Sequence, residues 1–364
     1  MKKNLLLGFI ALLMVTFVSR CEKSASKDEQ ENRASVAQGL GKLKNYEDNF
    51  VVSNNASGSL SFIDANTRTV TKNLSISNSI PFYMVYLPLK DKIYVTDPGN
   101  HAVQIIDAAT QTVTGNISVA IGTIMHIVGV ETKERLWVVN NTAKTVTEIN
   151  ANNNQIVYTL QLTTTPHDIA VNQNGTRIYI SRQNGTSWEV DVYSTDLETT
   201  GNYTLLDSRI FGNNWLHLYY SAANNRLYAA DQGLGKYWAL DPANLNTAAL
   251  NINIAGAHGL TLSNDERYSY VGSITENKVY IIDNATFTIA SSMTSSVSPN
   301  SHNLAVNLSE DVLLGTHSGA ASTAASAIPV NDGTLVASQE SSITVGTNPM
   351  AVLYYARKAK KSQE

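Results

Sequence analysis

Seven histidines are spread along 364 residues, and five of them head a short apolar run. The runs read His126-Ile-Val128, His167-Asp-Ile169, His217-Leu-Tyr219, His258-Gly-Leu260 and His302-Asn-Leu304. Aligned on their apolar positions they share one pattern, His-x-apolar, and two further runs carry Phe82 and Met350 in the same place. Neutral imidazoles brought together suit a transition metal such as copper, zinc or iron, and Met350 adds a soft thioether. The expected ligand set for a metal or metal chelate is therefore His126, His167, His217, His258, His302 and Met350. A histidine copied along a repeated unit can equally hold neighbouring backbone, so the same pattern also fits a purely structural role.

Other side chains fall near these runs. Tyr83 follows Phe82, Trp215 precedes His217, "RQNGTSW" brings Arg182, and "DQGLGKYW" brings Lys236 and Tyr237. His101 in "DPGNHAV" and His317 in "GTHSGAAS" read as loop residues of the same face. Phe82, Tyr83 and Trp215 are expected to pack a bound group, and Arg182, Lys236, Tyr237, His101 and His317 to make peripheral contacts. Asp168 adjoins His167, but consecutive strand residues face opposite ways, which argues against a dyad. Common catalytic patterns are missing: there is no HExxH and no GxSxG, and "GLGK" lacks the spacing and following Ser or Thr of a phosphate loop.

The elements that must position these residues are short strands. One unit places strands at 83–87, 92–96, 102–107 and 112–119, separated by "PLKD", "DPGNH" and "DAATQ". Similar units follow at intervals of about 40–50 residues, the period of four-stranded propeller blades. Asp or Asn after each third strand, as in "FIDANTRTV", "QIIDAATQTV" and "YIIDNATFTI", closes the hairpin by bonding backbone two residues on. Tyr94, Tyr179 and Tyr228 read as core. Seven first strands can be counted. The last, "PMAVLYYA", has no strands after it, and the chain opens with three strands that lack a first. The predicted fold is all-β: one seven-bladed β-propeller over residues 49–357, closed by the C-terminal strand completing the N-terminal blade. Closure leaves no blade face unburied and no inner edge unpaired. First strands would line the channel, with the histidines around one mouth.

These units, with "IYVTDPGN" and "VYIIDNATFTI", resemble the YVTN-type β-propeller repeat over nearly all of residues 50–356. Histidines on propeller inner strands are also similar to those of nitrous oxide reductases. With a single cysteine this chain lacks their Cys-bearing copper domain, so that resemblance implies a metal-capable position and not that reaction.

Lys2 and Lys3 before the apolar stretch 5–18 predict a signal peptide over residues 1–20. That stretch is shorter than the ~20 residues of a membrane span. Cys21 is the only cysteine and excludes an intrachain disulfide. "FVSRC" resembles a bacterial lipobox, with Arg20 where that family has a small residue, and implies lipidation at Cys21. Residues 21–48 read as a polar tether whose acidic start resembles the surface-export signal of Bacteroidetes lipoproteins. Residues 358–364 read as a basic tail. Loss of Lys2, Lys3 and Arg20 would take the net charge from −4 to −7, which gives no footprint for nucleic acid.

Lipoprotein features, size and fold together resemble surface proteins that capture cobalamin or siderophores for TonB-dependent transporters. The resemblance implies a monomeric outer-membrane protein, facing the cell surface, that seizes a metal or a cobalamin-, siderophore- or haem-class chelate and passes it to such a transporter. A copper- or zinc-dependent enzyme, and a protein- or glycan-binding scaffold with structural histidines, remain the alternatives.

Overall fold

The computed structural model describes residues 46–212 and 214–358. The signal segment, Cys21, most of the tether and most of the basic tail lie outside them. Within the described residues the chain forms seven antiparallel sheets arranged as the blades of a β-propeller. Six sheets have four strands, and the seventh blade splits its outer part between Thr334–Leu335 and Ser341–Thr344. The inner strands are Met84–Leu87, Ile124–Val130, Pro166–Val171, Leu216–Ser221, Ala257–Leu262, Ser301–Val306 and Pro349–Lys358.

Closure is as the sequence suggests. Pro349–Lys358 pairs with Tyr46–Asn54, which continues to Ser59–Asp64 and Thr69–Ser75. The pairing begins at Tyr46↔Lys358, so the first strand starts inside the expected tether and the last residue of the ring is Lys358. Arg357, almost wholly buried, ties the closing strand to Glu47 at 2.5 Å and to Asp91 of the next blade at 3.0 Å.

The turn chemistry follows from side chains that mimic a backbone acceptor. Asp107 Oδ1 accepts from the amides of Ala109 (3.1 Å) and Thr110 (2.8 Å), and Asp64 and Asp283 repeat the arrangement. The core lies between blades, where alternate residues of adjacent sheets interdigitate. Leu87, Tyr94 and Val103 of one blade, for example, pack on Ile124, Leu136 and Val138 of the next. Tyr94, Tyr179 and Tyr228 are buried in this layer.

Candidate functional site: an imidazole cluster at the mouth of the channel

Bulges in the inner strands set the site. Between Pro166 and Ile169 the pairing with the second strand shifts register, and shifts recur between Ile124 and Ile127, Ala257 and Leu260, and Ser301 and Leu304. A bulge holds two residues opposite one and re-aims their side chains. Strict alternation therefore does not hold at this point in the strand. Asp168 lines the cavity with His167 behind it, and it pairs with His126 and His217 rather than with His167, in line with the dyad discounted from sequence.

A hydroxyl on the second strand secures several of the bulges. Ser181 Oγ accepts the Asp168 amide at 3.0 Å and donates to the Leu216 carbonyl of the next blade at 2.8 Å. Thr96 does the same for the Tyr83 amide (3.0 Å) and the Met125 carbonyl (2.5 Å), and Thr316 for Asn303 and Met350.

This register corrects the alignment of the histidines. His126 immediately precedes Ile127, as Asp168 precedes Ile169, so His126 occupies the Asp168 place and Met125 the His167 place. The leucine-based pattern His-x-apolar holds for His167, His258 and His302. The strand of His217 has no bulge. The residues fall into two tiers. Tyr83, His126, Asp168, His217, Asn303 and Ala351 line the central cavity, while His167, His258 and His302 stand behind them. In the Asp168 place of the sixth blade is Gly259, where an added Cβ would lie 2.0 Å from the His302 carbonyl oxygen. Only glycine fits that close approach.

The imidazoles form one file. Successive ring centroids lie 4.9 Å apart for His126–His167, 4.8 Å for His167–His217, 4.0 Å for His217–His258 and 4.3 Å for His258–His302. His126, His167, His217 and His258 are 4–6% exposed, and His302 is half-buried. Tyr83 stacks on His126 at 3.6 Å, and Trp215 packs on His167 at 4.4 Å with Trp188 behind it.

The Nδ1 atoms of His126, His167, His258 and His302 face acceptors on the following blade, and that of His217 faces one on the preceding blade. His167 donates to the Leu216 carbonyl (3.4 Å), His258 to that of His302 (3.3 Å) and His302 to that of Met350 (2.9 Å). His126 Nδ1 meets Asp168 Oδ1 at 2.7 Å, and His217 Nδ1 meets Asp168 Oδ2 at 3.4 Å. The structural role considered from sequence is thus present through Nδ1. Since carbonyls and carboxylates only accept, a neutral ring with Nδ1–H keeps its lone pair on Nε2. His126 Nε2 is buried without a hydrogen-bond partner, and His217 Nε2 lies 3.0 Å from His258 Nε2. One ligand nitrogen from each of His126, His167 and His217 falls within 4.8 Å of the others.

Burial holds His126, His167 and His258 below the usual imidazole range, His167 and His258 far below, and takes His302 down to about 4. Burial pushes the Asp168 carboxyl up, but His126 and His217 outweigh it and hold it below the usual carboxylate range. The amides of Ile169 (2.6 Å) and Leu218 (2.8 Å) also donate to it. A fully partnered carboxylate of this kind stays ionised and orients the rings.

The remaining expected residues are elsewhere. Met350 contributes its backbone carbonyl, accepting from His302 and Asn303 (2.8 Å). Phe82 is half-buried just before the strand Met84–Leu87 and its amide donates to the Thr96 carbonyl, with no ring contact to the imidazole file. His101 is exposed in a turn at φ 52°. His317 is no surface loop residue. It ends the strand Val312–His317, is 1% exposed, and bonds Ser326 and the Pro299 carbonyl. Arg182 is consumed by Glu189, by Asp191 at 2.5 Å and by Thr164 at 2.6 Å. Tyr237 is a fully buried core residue bonded to Ser269, and Lys236 bonds Asn251 across its own blade. Strand register turns His317, Arg182 and Tyr237 into the sheets, while Lys236 stays half-exposed.

No protein-family model and no curated protein sequence matches the chain. Solved structures do match. A protein from Lactobacillus plantarum is similar with a TM-score of 0.69 at 14% identity, over 85% of this chain and 99% of that one. A functionally unknown protein from Desulfotomaculum acetoxidans gives 0.67 at 13% identity, over 86% and 99%. The hydrazine synthase of Kuenenia stuttgartiensis gives 0.58 at 14% identity, over 73% and 88%. At these identities the similarity is one of fold: the chain is a seven-bladed β-propeller.

Proposed function

We propose that this propeller binds a first-row transition-metal ion at the channel mouth, with His126, His167 and His217 as ligands through Nε2 and His258 beside them. The observation that carries this reading is the set of Nδ1 bonds. They place the hydrogen of His126, His167 and His258 on Nδ1, so that their Nε2 lone pairs lie in a buried space, that of His126 unpartnered. Unpaired buried polar atoms are costly. A cation relieves that cost. An Asp168–His–metal relay is the usual way a carboxylate orients a ligating ring. Inward adjustment of the imidazoles would bring the nitrogens to the ~2.0–2.1 Å that zinc–imidazole bonds require.

Burial of four of the five rings favours a bare ion over a bulky chelate. The proposed setting is a lipid-anchored cell-surface protein that hands its ion to an outer-membrane transporter. It rests on the signal-like start of the sequence and on Cys21.

The test is titration of metal-stripped protein with Cu(II), Zn(II) and Co(II), alongside His167→Ala and His101→Ala. Saturable binding of one ion, weakened by His167→Ala and untouched by His101→Ala, supports the reading. Absence of saturable binding, or equal affinity in His167→Ala, overturns it.

A further inference from the structure

The tetrapeptide Gln-Asn-Gly-Thr occurs twice in the chain, at 173–176 and 183–186. Asn-Gly is the pair most open to intramolecular attack on the asparagine carboxamide, because glycine adds no side chain to shield its amide or restrict its backbone. We infer that the fold spares the first copy and makes the second, Asn184-Gly185, a site of spontaneous modification to aspartate or isoaspartate. The inference is independent of metal binding.

The first copy is held on every side. The Gly175 amide donates to the Asn172 carbonyl at 2.9 Å, and its own carbonyl accepts from Thr195 Oγ1 at 2.6 Å. The Asn174 carboxamide oxygen accepts from Thr176 Oγ1 at 2.7 Å. Gly175 is buried, and an added Cβ would lie 3.1 Å from the Trp137 ring. The second copy is the tip of the hairpin between Arg177–Asn184 and Ser187–Ser194. Gly185, at φ 60°, fills the first central position of a two-residue loop closed by Asn184 and Ser187. Asn184, Gly185 and Thr186 are exposed, and an added Cβ at Gly185 would meet nothing within 4 Å. The Gly185 amide donates to no described residue.

In the reaction the Gly185 amide nitrogen attacks Cγ of Asn184. The N–Cγ bond forms, the Cγ–Nδ2 bond breaks, and Nδ2 leaves as ammonia carrying the amide proton. Water then opens the cyclic imide at either carbonyl, giving aspartate or isoaspartate. Water is the only co-reactant and no electrons are transferred.

The product is badly placed. Asn184 Nδ2 donates to Glu189 Oε2 at 2.7 Å, so modification replaces a donor by a carboxylate facing a carboxylate. Isoaspartate also lengthens the backbone beside the pair Gln183↔Trp188. Trp188 packs on Trp215 and His167, so the change adjoins the wall of the imidazole file.

The experiment incubates the intact folded protein at mildly alkaline pH and maps its peptides by mass spectrometry against an unincubated sample. A parallel incubation is made in unfolding urea. The Asn184 peptide should gain the mass of an amide-to-acid conversion progressively while the Asn174 peptide stays unchanged, and in urea the two should convert at equal rates. An unmodified Asn184 in the folded protein, equal conversion of both copies in it, or the same preference for Asn184 in urea would overturn the inference. Asn184→Asp should lower the urea midpoint below that of Asn184→Ala, which removes the bond without adding charge. Equal midpoints would overturn the clash with Glu189.

Discussion

His126 and Asp168 come from neighbouring blades and meet at 2.7 Å, Nδ1 to Oδ1, with both side chains almost fully buried. The same carboxylate reaches His217 on the far side, so one residue orients imidazoles from the blades before and after its own. Three blades are thereby fixed relative to one another at the point where the candidate metal ligands converge.

Asp168→Asn tests that relationship. The amide keeps the shape but loses the charge and one acceptor, so the rings are less firmly oriented. Metal affinity should fall about 10–100-fold, the usual cost of an outer-shell partner, as read by competition with a chromophoric chelator. Unchanged affinity would remove Asp168 from the account.

Ser181→Ala tests the support beneath it. Ser181 is wholly buried and bonds both the Asp168 amide and the Leu216 carbonyl. Loss of the hydroxyl leaves the Asp168 amide unsatisfied and the Leu216 carbonyl with only its longer bond from His167, which should destabilise the fold by about 1–3 kcal/mol in urea unfolding. Metal affinity should fall as well, because Asp168 and the acceptor of His167 share this hydroxyl.

The apo protein should be pH-sensitive in a defined window. His126, His167, His258 and His302 have folded-state pKa values below the unfolded value of ~6.5, His302 at about 4. Between those limits the unfolded chain binds more protons than the folded one, so stability rises with pH. Stability is full above ~6.5 and is lost as pH falls toward about 4. Urea midpoints measured from pH 7.5 to 4.5 should drop steadily, and bound metal should flatten the curve over its upper part. A flat apo profile would contradict the burial of neutral imidazoles.

Arg357→Ala tests closure. Arg357 is nearly buried while Glu47 and Asp91 are partly exposed, so solvent screening reduces what the pairs contribute. A loss of about 1–3 kcal/mol is expected, mostly from the hydrogen bonds to charged groups. An unchanged urea midpoint would mean that backbone pairing alone holds the ring.

Blade number, closure and turn chemistry were legible because strand alternation and Asp or Asn turns leave local signatures. "FIDANTRTV" and "QIIDAATQTV" show both. The histidines also stood out, since five of seven head a first-strand run, although only His167, His258 and His302 share one register. What sequence did not show is the bulge. One extra residue between Pro166 and Ile169 puts Asp168 in the cavity wall with His167 behind it, and between Ile124 and Ile127 it moves His126 one step from its apparent equivalents. The local signal is the Ser or Thr near the end of the second strand, as in "YVTD", "YISR" and "LGTH", whose hydroxyl holds the bulged amide. Arg182, Tyr237 and His317 were misplaced for a related reason. Composition put them near loops, while pairing register put them against Asp191, Ser269 and Ser326.

The central claim is that the imidazoles act together through Nε2. Pulsed EPR of stoichiometric Cu(II)-loaded protein, with histidine labelled with nitrogen-15, counts the coordinated imidazoles directly. Three or more imidazoles on a single ion, falling by one in His167→Ala, is the predicted result. Copper held by one imidazole, with a spectrum unaltered in His167→Ala, would show that the buried file only stitches the blades together.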